Sequence, residues 1–66
     1  MSSDEVARAF ARSFAGPHGA TALAHLRTIT IDRRLGPEAS EALLRFVEGQ
    51  RALVATIEAL IARGRG

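Results

Sequence analysis

SEALLRFVEGQRALVATIEALIAR, residues 40 to 63, is the stretch whose reading decides the fold. It is rich in Ala, Leu, Glu and Arg and contains no proline, a composition that favours one continuous helix. Pro37 and Glu38 suit a first helical turn, so the expected element runs from residue 37 to residue 63. At about 1.5 Å per residue it is roughly 40 Å long. Two residues sit badly in its middle. Gly49 weakens a helix, and Gln50 places an amide among apolar neighbours.

The side-chain pattern gives those two positions a meaning. Leu43, Val47, Gln50, Val54, Ile57 and Ile61 follow the alternating four and three spacing of a heptad seam, with Gln50 its one polar member. Ala39, Ala42, Phe46, Gly49, Leu53, Thr56 and Leu60 form a second seam one position away. The opposite face, with Glu41, Arg45, Glu48, Ala52, Ala55 and Ala59, is charged or small. Two seams imply two sets of neighbours. The expected oligomer interface is therefore Leu43, Phe46, Val47, Gly49, Gln50, Leu53, Val54, Ile57, Leu60 and Ile61. A monomeric bundle, with two short helices lying end to end along the long one, is the competing architecture. On the first reading Gly49 admits another backbone and Gln50 sets register or subunit number. On the second, Gly49 is tolerated drift and Gln50 bonds a nearby carbonyl.

Ahead of the long helix, SSDEVARAFARSFA carries strong start signals. Ser2 or Ser3 can cap, Asp4 and Glu5 lie in the first turn, and Ser2 with Glu5 has capping-box spacing. Val6, Phe10 and Phe14 recur on one face, which predicts an amphipathic helix over 3–15. Gly16 suits a left-handed cap, and Pro17 ends one helix and can open the next. A second helix is expected over 18–30, with Ala22, Leu23, Leu26 and Ile29 on one face. Thr28, Ile29, Thr30 and Ile31 alternate in a strand-like way, but so short a run has no partner strand. Gly36 and Pro37 make the main break, and RGRG at the end reads as a short frayed tail. The expectation is an all-α single domain over 1–66, two short helices packed on a long C-terminal one, assembled as an oligomeric helical bundle or ring.

A chain of 66 residues is marginal on its own, and small folds gain stability from disulfides, metals or self-association. Cysteine is absent, which excludes disulfides and thiolate metal sites. The N-terminal MSSDEVARAF is acidic and has no continuous apolar run, unlike a signal peptide or membrane span. A cytoplasmic location without membrane contact is expected. All nine basic residues are arginine, against seven acidic ones, for a net charge of +2. Such a small excess is no nucleic-acid signature by itself, and its distribution matters more. Arg27, Arg33 and Arg34 cluster at one turn, and Arg63 with Arg65 makes a basic tail. These five are the candidate DNA-binding residues, which assembly would multiply into a basic rim. With no aromatic platform and no base-reading helix, such binding would be nonspecific and salt dependent. The competing reading is a solvated charged loop.

Catalysis finds no support. His18 and His25 are seven residues apart, too far to ligate one metal from a straight helix. No serine has a credible histidine and carboxylate arrangement, and GPHG is not a phosphate-cradling loop. No enzyme activity, metal or cofactor is expected.

FAGPHGATALAHLRTITIDRRLGPEAS (14–40) followed by EGQRALVATIEALIARGR (48–65) resembles small helical proteins of phage head and packaging modules and of gene transfer agents. The phenylalanine before a glycine-rich turn, the LAHLR helix and the EGQR stretch carry the resemblance. Within that class the chain looks most like a small terminase subunit, an assembly of helical protomers that presents DNA to the large terminase motor. The resemblance implies a noncatalytic DNA-packaging role, with a large terminase subunit or portal as protein partner and double-stranded DNA as nonspecific ligand. One departure stands out: small terminases carry an N-terminal helix-turn-helix domain, and here there is no room for one beyond residues 3 to 30. This chain would be a reduced form built around the oligomerisation part. The alternatives are a structural accessory of the phage-like head, associated with portal or capsid, and a helical protein–protein adaptor without DNA binding.

Overall fold

The computed structural model describes residues 2–66 and contains three helices: α1 (Ser3–Ser13), α2 (Gly16–Ile29) and α3 (Glu41–Arg65). The all-α architecture with two short helices on a long one is as the sequence predicts. Its principal extents are 41 × 26 × 15 Å, and the long dimension is that of α3 itself.

Each helix begins where its local chemistry permits. At α1, the Ser2 hydroxyl accepts a hydrogen bond from the Glu5 amide at 3.2 Å, half of the expected capping box. Gly16 takes φ 76°, the left-handed conformation that turns the chain between α1 and α2, and Pro17 follows in the first turn. α2 continues through Ile29 despite the strand-like run. Its threonines fold back on the helix: Thr28 Oγ1 donates to Ala24 O at 3.0 Å and Thr30 Oγ1 to Leu26 O at 2.6 Å.

α3 starts later than Pro37 suggests. Gly36 to Ala39 form a turn closed by Ala39 N–H to Gly36 O at 3.1 Å, which leaves Glu38 outside the helix. Ser40 is the N-cap instead, its hydroxyl accepting from Leu43 N–H at 3.1 Å. A side-chain acceptor for an orphan amide outweighs the proline preference here. At the other end, helix persists to Arg65 where a frayed tail was expected.

The reason for that persistence is packing. α1 lies along the C-terminal part of α3, and Gly64 is the point of closest approach. A Cβ there would run into the Ala7 carbonyl group and lie 2.8 Å from the Ala11 Cβ. Ala7 is buried accordingly, so the small residues beside the Val6, Phe10 and Phe14 stripe make the tightest contact, while those three are half-buried. Gly19, the buried residue of α2, plays a similar part beneath the Phe14 backbone. α2 meets α3 at only a few points, and Ile29, expected on its packed face, is exposed.

The core on α3 is the first seam: Val47, Val54 and Ile61 are buried, and Ile57 and Gln50 are half-buried. Gln50 thus faces its own chain, with Oε1 buried and without a hydrogen-bond partner. Gly49 faces the other way, exposed and with nothing within 4 Å of where a Cβ would lie.

The two glycines of α3 should respond oppositely to alanine. Gly64→Ala forces α1 away and is expected to cost about 1–3 kcal/mol. Gly49→Ala, free of clashes, should stabilise by about 0.5–1 kcal/mol through helix propensity. Urea denaturation at low micromolar protein measures both, and equal signs would contradict the packing described. Gln50→Leu removes the orphaned acceptor, and the same experiment should show a gain of about 1 kcal/mol.

Candidate functional site

The ten interface residues expected from the seams divide in two when placed on the fold. Val47, Val54 and Ile61 are consumed by packing inside the chain, with Ile57, Leu60 and Gln50 partly covered. Leu43, Phe46, Gly49 and Leu53 remain on the surface, Phe46 and Leu53 each 62% exposed. The free apolar surface is therefore the second seam, while Leu44, exposed as well, lies on the far side of the helix. No periodic signal in the sequence distinguishes which seam the chain covers itself.

The arginines divide as well. Arg27, on α2, donates through one guanidinium nitrogen to both Glu58 oxygens, at 2.7 and 2.6 Å. That hydrogen bond first, and the charge of Glu58 second, push the guanidinium pKa above its ordinary value. Arg63 donates to Ser3 Oγ at 2.6 Å and to Asp4 Oδ1 at 3.1 Å, tying the end of α3 to the start of α1. Both residues serve the fold. Arg33, Arg34 and Arg65 are exposed and form no ion pair among the described residues.

Arg51, which the sequence reading left among the charges of the long helix, organises the loop that carries Arg33 and Arg34. Its Nε donates to Thr30 O at 3.0 Å, another guanidinium nitrogen donates to Arg33 O, and a third donates to Glu48 at 2.6 Å. Carbonyls left open after α2 are thus satisfied from α3. The result is an open cleft bordered by Ile31, Asp32, Arg33, Arg34, Leu35, Glu48 and Arg51. A second cleft lies where α1 meets the end of α3, with Arg8 beside Arg63 and Arg65. Arg8 belongs to that basic group through tertiary packing, since it is far from both in sequence.

Among the described residues, no cluster of three or more His, Cys, Asp or Glu could hold a metal ion. No described helix is long and apolar enough to cross a membrane. The surface carries an apolar strip along α3 and two open clefts, one with Arg33, Arg34 and Arg51 beside Asp32 and Glu48, the other with Arg8, Arg63 and Arg65 beside Asp4.

The chain is a small all-α protein whose long helix is covered on one face and open on another. The model of the Bbp19-like phage protein family matches residues 10–62, and the chain belongs to that family. The match takes in the last turn of α1 from Phe10, all of α2 and α3 as far as Ala62. No curated protein and no solved structure matches the chain.

Because the Arg27–Glu58 pair is among few ties between α2 and α3, Arg27→Met should loosen α2 selectively. Amide hydrogen exchange is expected to accelerate over residues 16–29 while α1 and the C-terminal half of α3 keep their protection. Uniform acceleration across the chain would show that the pair supports global stability instead.

Proposed function

We propose that this phage protein is a noncatalytic component of DNA packaging, acting as a reduced counterpart of a small terminase subunit. It assembles through the uncovered seam of α3 and presents double-stranded DNA nonspecifically to the packaging motor, with a large terminase subunit or portal as its protein contact. One observation carries the reading: Phe46 and Leu53, 62% exposed at heptad spacing, share the molecule with the unpaired Arg33 and Arg34. Large apolar side chains held out on a rigid helix lose little by association and gain burial. Two adjacent guanidinium groups on a braced loop supply phosphate contacts without base recognition.

A second reading is favoured by a different observation. Arg27 and Arg63 are engaged in ion pairs, which reduces the expected phosphate contacts from five to Arg33, Arg34 and Arg65. An accessory protein docked on the portal or capsid through the same apolar seam requires no DNA contact at all.

Titration of double-stranded DNA at two salt concentrations separates the two. On the packaging reading, binding weakens steeply with salt, and Arg33→Ala with Arg34→Ala lowers the slope by about 2 per bound chain. Absence of binding at low salt removes the DNA role and leaves the accessory role.

A further inference from the structure

The second seam of α3 carries a pattern that specifies its occupant. From its N-terminal to its C-terminal end it reads Ala42, Phe46, Gly49, Leu53, Thr56 and Leu60, and a small residue in its first half is matched by a large one in its second. We propose that this seam binds a second copy of the same chain with the two α3 helices antiparallel, residue 51 of each lying level with the other. This rests on the reading that the chain assembles through the seam, and it names the partner and the geometry.

In that register every layer joins one large and one small side chain. Ala42 of one copy faces Leu60 of the other, Phe46 faces Thr56, and Gly49 faces Leu53. Facing positions that alternate in size interdigitate without voids or strain. Gly49, whose missing Cβ looks into open space within the chain, gains a neighbour that fills that space. An in-register parallel pair does the reverse: it sets Phe46 against Phe46 and leaves Gly49 against Gly49. Sliding the antiparallel pair by one heptad toward the N-terminus puts Leu60 opposite Leu35, which lies outside α3 and leaves those layers unpaired.

Flanking residues agree with this arrangement. Arg45 runs beside Ala59 of the second copy and Ala52 beside Ala52, so no like charges meet. Leu43, on the border of the first seam, faces Ile57. Gln50 falls next to the two-fold axis, where its counterpart is another Gln50. Its Oε1, turned inward and buried against its own chain, takes no part in the pairing. Residues 42 to 60 correspond to about 27 Å of helix. Paired along that length they bury on the order of 1,000 Å² in total, at the lower edge of what a specific dimer needs. A weak, concentration-dependent dimer is the expected species.

The lack of native cysteine makes orientation directly readable by cross-linking under mild oxidation. Ala52→Cys should form a disulfide-linked dimer by itself. Arg45→Cys and Ala59→Cys should cross-link when mixed and remain monomeric when alone, while Ala42→Cys should not link to itself. Gly49→Ala should weaken dimerisation roughly tenfold in light scattering, although it stabilises the isolated chain. Wild-type protein that stays monomeric at several hundred micromolar overturns self-association altogether. Association with self-linking of Ala42→Cys, or with no cross-link at Ala52→Cys, overturns the antiparallel register while leaving assembly through α3 intact.

Discussion

Gly64 lets the backbone of α3 close on Ala7 and Ala11 of α1, and the rest of the molecule is arranged around that contact. Two helices that touch through small residues bring their flanking side chains into range. Arg63 then reaches Ser3 and Asp4 across the crossing. α1 is held at the C-terminal part of α3, and the exposed large apolar side chains of α3 lie in its other half. Leu43, Leu44, Phe46 and Leu53 are exposed there because they lie off the buried face, on which Val47 of the same half is fully covered. The open apolar surface of α3 follows from which of its faces turns inward.

The interior is correspondingly small. Ala7, Val47, Val54 and Ile61 are its buried apolar residues, few for any fold, and polar ties supplement them. Arg27 with Glu58 and Arg51 with the carbonyls of Thr30 and Arg33 hold α2 and the following loop to α3 where apolar contact is sparse. Arginine suits that work, since a planar guanidinium serves several acceptors at once. These same bonds pair Arg27 with a carboxylate and fix the loop on which Arg33 and Arg34 stand. Arg27 and Arg51 thus brace the fold, while Arg33 and Arg34 stand exposed on the braced loop.

Several features of this molecule are legible in its residues. The Ser2 cap, the left-handed turn at Gly16 and the two seams of α3 all rest on short-range stereochemistry, which a linear sequence states directly. The start of α3 is less legible because Pro37 and Ser40 both offer a beginning, and the hydroxyl at Ser40 has an amide to accept from. The persistence of helix through Gly64 is illegible, since glycine near a helix end reads as a terminator unless another backbone lies against it. Arg8 is likewise invisible as part of a basic group, being brought to Arg63 and Arg65 by the α1–α3 contact.

By itself the sequence determined an all-α chain, the number of helices, the amphipathic seams and the absence of thiol chemistry. Each of these depends on periodicity or on residue type, which need no knowledge of distant neighbours. Tertiary structure alone decided which seam of α3 turns inward, and with it the opposite fates of Gly49 and Gln50. The two residues are adjacent, so about 100° of helical rotation separates them. That angle is enough to put Gln50 against its own chain and Gly49 in the open, once α1 has taken its side of α3.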